Sequence, residues 1–532
     1  MSILKVNPNN DFYPIAKESP PMISRRTALT SLAAGGLVAA GGLALRPGGL
    51  LSASAQTFRN PLRIPPLLEG DMRDGEKAFD LRIQRGAMTF FPGFKTPTMG
   101  INGDYLGPTL RVKVGDRLRL KVSNAIGEPT TLHWHGLHLP AREDGGPHQV
   151  IAPGADWTAR FPVRQLPATC WYHPHMLGRT GEQVWAGLAG LILIENEASA
   201  ALAIPNDYGV DDIPLVIQDR AFNEDGSFAY ATSMHDIMMG MRGDTILVNG
   251  TREPFFSATT SKVRFRILNG SNARFYNLGL DDGRAFHQIG TDGSFLEAPV
   301  PVSRVALGPG ERADIVVDVS DGKPVRLANF PFAGSGGLLG TLRRGMGMMR
   351  NMMNRGAGDD NDSYAVLEIR PAKARKALAE LPARLVTLPR LREEDATVTR
   401  RFTLEMGMGM GMMMGGGGGK PFTINGKAMD MARVDETIRL GTTEIWEISN
   451  SSPLPHPFHI HDIQFLILDR NGTPPAAHER GYKDTVTVDH NETVRVIARF
   501  DDYADPERPY MYHCHILEHE DAGMMGQFTV VA

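Results

Sequence analysis

The sequence predicts an all-β protein of three Greek-key β-sandwich units, on three observations. First, an Asn-Gly pair recurs at Ile101-Asn102-Gly103, Val248-Asn249-Gly250 and Ile424-Asn425-Gly426. Second, each pair is followed by a strand of alternating character that ends in Asn: Arg117 to Asn124, Val263 to Asn269 and Glu444 to Asn450. Period-two alternation closed by Gly or Asn marks a half-buried strand, and self-similarity along a chain marks repeated units. Third, the first and third units end alike. Arg160-Phe161 leads to Trp171-Tyr172-His173-Pro174-His175 and Gly190-Leu191-Ile192-Leu193-Ile194, as Arg499-Phe500 leads to Tyr512-His513-Cys514-His515 and Phe528-Thr529-Val530-Val531. Three sandwiches of roughly 150 residues account for the length, and 58 Gly and 37 Pro suit a loop-rich globular chain.

In chain order, residues 1–55 read as a Tat export signal. Ser24-Arg25-Arg26-Thr27 precedes a weakly apolar run from Leu32 to Leu45, which is too short and too rich in Gly and Ala to span a membrane. The run closes near Ala53-Ser54-Ala55, a small-residue cleavage pattern. The mature chain would start near Gln56 and reside in the periplasm or at the cell surface, with the Tat machinery as a transient partner and no stable membrane insertion. The first unit covers residues 56–200, the second 201–370 and the third 385–532. Between the last two, the Ala-, Lys- and Arg-rich segment around Ala372 to Ala383 (371–384) reads as a helical linker. A net charge of −4 gives no reason to expect nucleic acid. Two cysteines are too few for a disulfide framework, and Cys170, in an apolar strand, reads as buried packing.

The chemistry centres on His513-Cys514-His515-Ile516-Leu517-Glu518-His519, with Met524 following. A Cys, a His and a weak axial Met are three of the four ligands of a blue-copper site. On a strand His513 and His515 face one way and Cys514 the other, so the thiolate serves one metal while its neighbours serve others. Of the 16 histidines, ten lie in four clusters, each with an H-x-H pair: His133/His135, His173/His175, His456/His459/His461 and His513/His515/His519. One such pair alone is a commonplace of surfaces; four, one of them around a cysteine, are not.

In this order the clusters resemble the copper signatures of the multicopper oxidases, among them bacterial laccases and cuprous oxidases of the copper-efflux type. The resemblance spans nearly the whole mature chain and implies three cupredoxin-like domains and four copper ions. It implies a type 1 copper held by His456, Cys514, His519 and Met524. It implies a type 2 copper on His133 and His459, and a type 3 pair on His135, His173 and His515 and on His175, His461 and His513. Ligands come from units one and three, which puts a trinuclear cluster at their interface, and the Leu307-Gly308-Pro309-Gly310-Glu311-Arg312-Ala313-Asp314 turn resembles that of the family's copper-free spacer domain. Cys514 gives an electron a short through-bond route to both flanking histidines. Asp144 and Glu520 match family carboxylates that deliver protons, a general-acid role.

Two methionine-rich runs bear on substrate: Gly345 to Met353, and Met406 to Met414 followed by five glycines. Interleaved Gly disfavours helix, and thioethers select Cu(I), so recruitment of further Cu(I) is expected at these loops. Ser452 and Leu454 stand where copper-efflux oxidases carry an Asp and a Met before H-P-x-H-x-H, so their substrate copper site is not reproduced in full. The sequence thus implies an exported monomeric oxidase that takes electrons from Cu(I) or small aromatic reductants and reduces O2, with a role in copper tolerance. The alternatives are a general phenol-oxidising laccase with incidental Met runs, and a copper-sequestering or scaffold protein.

Overall fold

The computed structural model describes residues 57–230, 233–332, 360, 362–407 and 421–532; the expected export leader, the run at 345–353 and residues 408–414 of the second run lie outside these. Strands dominate, and they pair into sheets that stack as three sandwiches. Each sandwich is built on the same three-strand motif. Glu76–Met88 lies parallel to Arg117–Ala125, which runs antiparallel to Asp156–Pro162. Asp212–Arg220, Lys262–Asn269 and Arg312–Asp318 repeat the arrangement in the second unit. Ala396–Met406, Thr442–Asn450 and Thr493–Phe500 repeat it in the third.

The repeated asparagines explain why. Asn102, Asn249 and Asn425 all adopt positive φ (55, 50 and 54°), a conformation Asn tolerates in tight turns. Each side chain then bridges back to the neighbouring strand. The Oδ1 atoms accept from the backbone N–H of Arg82, Val216 and Thr403, and the Nδ2 atoms donate to the carbonyls of Asp80, Pro214 and Arg401. The strand-ending asparagines repeat as well. Asn124, Asn269 and Asn450 are buried, and each accepts from the backbone N–H two residues on (Ile126, Ser271, Ser452). A buried amide satisfied in this way fixes the turn that follows the strand.

Each sandwich encloses its own apolar core: Leu118, Leu120 and Ile192 in the first, Phe265, Ile267 and Leu278 in the second, Trp446, Phe458 and Phe528 in the third. No helix among the described residues is long and apolar enough to cross a membrane.

Two expectations are corrected. The segment around Ala372 to Ala383 is not a helix: Tyr364–Lys376 is one strand, parallel to Pro254–Thr260, and residues 377–392 continue without helical structure. Helix propensity is a weak prior; here pairing satisfies the backbone, and Leu385 packs against Ile289, Phe295 and Val316 of the middle unit. The first described strand also crosses the expected boundary, since Asn60–Pro61 pairs with Pro254–Phe255 of the middle unit rather than within the first.

Candidate metal centre

Two strands of the third unit set the site. Strand β1 (His456–Ile460) runs antiparallel to β2 (Asp505–Cys514), in a register that places Phe458 opposite Cys514 and His459 opposite His513. The chain then bends into the short helix Leu517–Asp521, which returns His519 toward the thiol. The Cys514 Sγ lies 3.2 Å from His456 Nδ1 and 3.8 Å from His519 Nδ1, and the two imidazole nitrogens are 3.4 Å apart.

All three side chains are fully buried. Burial pushes the His456 pKa down to about 3 and that of His519 well below its ordinary value, and it pushes the Cys514 thiol up. Neutral imidazoles facing a thiol that needs a cation in order to ionise are a donor set that fits a soft metal. The outer nitrogens are occupied. His456 Nε2 donates to Ser452 Oγ (2.6 Å), and His519 Nε2 donates to the carbonyl of Met238 (3.2 Å) in the middle-unit helix Met234–Met239. Such outer partners fix the tautomer and leave Nδ1 as the ligand atom.

Met524 packs in the same apolar cluster as Cys514 and Phe458. Its backbone is pinned by Met524 N–H to His519 O (2.8 Å) and Cys514 N–H to Met524 O (3.0 Å). Met525 instead packs with Met429 and Met511. The structure therefore separates the adjacent thioethers, and only Met524 shares the Cys514 cluster.

Behind β2 lies the second group. His175 Nε2 and His461 Nε2 approach His513 Nε2 at 3.1 and 3.2 Å. Two of their outer nitrogens face acceptors: His461 Nδ1 meets Asp144 Oδ2 at 2.7 Å and His513 Nδ1 meets Cys514 O at 3.0 Å, while Glu520 oxygens lie 3.2 and 3.3 Å from the Nδ1 atoms of His175 and His513 without forming a hydrogen bond. With Nδ1 protonated, the three Nε2 lone pairs converge in a buried space. Protonation does not relieve them, since burial holds the His513 pKa near 3 and those of His175 and His461 well below normal. A cation does.

The remaining histidines complete the set. His133 Nδ1 donates to Asp144 O (2.9 Å) and His459 Nδ1 to Asp484 O (2.8 Å), which leaves both Nε2 atoms buried without a partner. His135 Nδ1 lies 3.4 Å from His173 Nε2, and the His515 ring sits 5.1 and 5.3 Å from those two rings with neither of its nitrogens partnered. First-unit and third-unit rings stack in pairs, His133 on His461 (3.9 Å) and His135 on His459 (3.7 Å). Every histidine singled out in the sequence is thus brought to one of the two groups. His133, His459 and His461, and His135, His459 and Asp484, also fall within metal-holding reach of one another.

Asp144 and Glu520 both stand at the histidine group, fully buried. Burial and the charge of Asp521 raise the Glu520 pKa well above the carboxylate range. Sequence reasoning missed Asp484, whose carboxylate accepts from His135 Nε2 (3.0 Å), and Arg312, which donates to both Asp484 oxygens (2.7 and 2.5 Å). It also missed Ser452 and the Met238 carbonyl as partners of the thiol group's imidazoles. Lys483-Asp484-Thr485 reads only as a strand end, so no local signal marks it. The middle unit is therefore more than a spacer. Among the described residues it supplies no member of a metal-holding group, yet it touches both. Gly310 (φ +83°) shows how closely, for a Cβ there would stand 2.9 Å from the His515 ring. Gly136, just past His135, is similarly constrained: its Cβ would lie 2.5 Å from Asp484 Oδ2.

Comparison with known proteins agrees with this geometry. Multicopper oxidase family models match residues 82–199 and 399–532. The chain is 37% identical to the cell division protein FtsP of Dickeya dadantii, over 93% of this chain and 98% of that one. It is 35% identical to the multicopper oxidase mco of Staphylococcus aureus, over 89% and 93%. Among solved structures it is similar to the laccase-like multicopper oxidase CueO of Ochrobactrum sp., which has oxidase activity towards lignin model compounds (36% identity, TM-score 0.77, 88% and 100% coverage). It is also similar to the McoA multicopper oxidase of Aquifex aeolicus (33%, TM-score 0.76, 89% and 100%).

Proposed function

The chain belongs to the multicopper oxidase family, and we propose that it is an exported oxidase coupling one-electron oxidation of Cu(I) and phenolic compounds to reduction of O2 to water, in the service of copper tolerance. The Cys514 group, with His456, His519 and Met524, would hold a type 1 copper. His133 and His459 would hold a type 2 copper, and the two histidine triads a type 3 pair. Copper would supply one-electron relay at the first group and multi-electron chemistry toward O2 at the second. The protein supplies the connection: Cys514 is covalently continuous with His513, and His515 follows it directly. It also supplies protons. Burial and the charge of Asp521 raise the Glu520 pKa well above the carboxylate range, and Glu520 sits beside two cluster imidazoles, while Asp144 holds His461 at 2.7 Å.

The observation that carries this reading is the convergence of unprotonated, buried imidazole lone pairs directly behind a cysteine that faces two more. A Tat-exported, periplasmic monomer fits the twin-arginine leader. O2 uptake by the copper-loaded mature protein, with Cu(I) and then a simple phenol as sole reductant, is the test. We expect turnover of both, and removal of the 406–414 run is expected to reduce Cu(I) turnover more than phenol turnover. Equal losses would make the run structural, and phenol turnover alone would make the protein a general laccase. The FtsP relatives favour a second reading, a part in cell division; full copper occupancy without O2 uptake would shift the assignment to it.

A further inference from the structure

The two outer units approach the histidine group through one repeated device. Asp144 of the first unit accepts from its own His133 with its backbone carbonyl (2.9 Å) and from His461 of the third unit with its carboxylate (2.7 Å). Asp484 of the third unit accepts from its own His459 with its carbonyl (2.8 Å) and from His135 of the first unit with its carboxylate (3.0 Å). The two aspartates are counterparts about the interface, but they are not equally held. Asp144 Oδ1 has no hydrogen-bond partner. Both Asp484 oxygens are taken by the Arg312 guanidinium in a bidentate pair, and Thr485 Oγ1 adds a third bond to Oδ1 (2.8 Å).

We propose that Arg312, contributed by the middle unit, is a positioning residue for the histidine group: by locking the Asp484 carboxylate it fixes His135 with Nε2 protonated and Nδ1 turned to His173. The inference rests on the reading that this group holds copper. Arg312 is itself held in place from several sides. Its Nε donates to Thr169 O (3.0 Å) in the first unit, its backbone N–H to Asp292 Oδ1 (2.7 Å), and an Nη to Asp292 O (3.0 Å). Asp292 is in turn paired with Lys483 (2.8 Å), the neighbour of Asp484. Arg312, Asp292 and Asp484 are all fully buried. Burial alone would lower the Arg312 pKa, and the two carboxylates raise it instead, so the guanidinium stays charged. A planar, bidentate donor fixes the carboxylate plane as a point charge does not, and the carboxylate plane sets which His135 nitrogen carries the proton. Facing His135 as it does, Asp484 acts through that imidazole and not on substrate.

The test uses the copper-loaded full-length mature protein with Arg312→Lys, Asp484→Asn and the paired Arg312→Met/Asp484→Asn variant. The readouts are copper per chain during chelator competition, the electron spin resonance of type 2 copper, the blue absorption of the Cys514 group, and melting of the copper-free protein. Arg312→Lys is expected to release histidine-group copper ~10–100-fold more readily with an altered type 2 signal, while the blue absorption stays full. The paired variant removes both buried charges and so relieves a purely structural conflict. We expect it to melt close to the parent yet still lose histidine-group copper. Parent-like retention and spectra in Arg312→Lys would overturn the proposal, as would a paired variant with restored copper binding. A parent that holds no copper at the histidine group would overturn the copper reading itself, a result distinct from either.

Discussion

The first and third units are the same sandwich and face one another across the histidine group with matching parts. Each offers H-x-H pairs, and each offers an aspartate whose carbonyl holds its own histidine and whose carboxylate holds the other unit's. Beyond the unequal hold on those aspartates, they differ at one strand end. Where the first unit has Tyr172-His173-Pro174-His175, the third has Tyr512-His513-Cys514-His515. On the proposed function, that one residue, with His456 and His519 around it, would convert half of a symmetrical binding interface into a relay. The repeated sandwich would supply the interface, and the cysteine its direction.

The sharpest way to break the comparison is Cys514→Ser, which makes the third unit resemble the first. Blue colour should vanish and turnover should fall to background, with copper at the histidine group retained; visible absorption, metal content and O2 uptake check this, and a variant that still turns over would end the relay assignment. Asp144→Asn tests the other half. General-acid contributions run to ~100-fold or more, so kcat should fall about that far while blue absorption is unchanged, and stopped-flow reoxidation by O2 separates the two.

Acid should distinguish the copper-free from the loaded protein. The His456 and His513 pKa values are held near 3 in the fold against ~6.5 unfolded. The unfolded chain therefore binds more protons between those values, and stability falls as pH drops below about 6.5. Bound metal would hold the imidazoles unprotonated and move that loss to lower pH. Melting curves from pH 7 to 4, with and without copper, should diverge; parallel curves would argue against ligation.

Two smaller effects sharpen the picture. Ser452→Ala removes the acceptor of the His456 outer N–H, a loss of about 0.5–1.5 kcal/mol. It should shift the blue band and the type 1 potential while sparing the histidine group. His138 bridges the halves, with Nδ1 on Asp462 (2.8 Å) and Nε2 on Asp502 (3.1 Å). Burial would lower its pKa, but the two carboxylates raise it to about 9. Its contribution is present below about 6.5 and lost as pH rises through 9, so His138→Gln should flatten the alkaline decline in melting temperature between pH 7 and 10.

Much of this was legible in one dimension because the determinants are short-range. The Asn-Gly turns and strand-ending asparagines act within their own motif, so three repeats in sequence became three sandwiches built on one motif. The ligand types sit two or three residues apart, so periodicity alone placed Cys514 and His513 on opposite faces. The spacing from His519 already pointed to Met524 rather than Met525, and the packing separates the two, with Met524 in the Cys514 cluster and Met525 beside Met429 and Met511. The Ala372 to Ala383 segment misled because local helix propensity lost to sheet pairing: residues up to Lys376 continue a strand that lies between Pro254–Thr260, more than a hundred residues earlier, and Val325–Asn329.

By itself the sequence determined the strands, their repetition and the inventory of histidines, cysteine and methionine, since alternation and short spacings are written in neighbouring residues. Only the tertiary structure decided which imidazoles meet, which nitrogen of each is free, and that Arg312 and the Met238 carbonyl of the middle unit complete the surroundings. The reason is physical. A buried hydrogen bond between residues such as His135 and Asp484 leaves no periodicity in the chain, and it exists only where the sandwiches pack against one another.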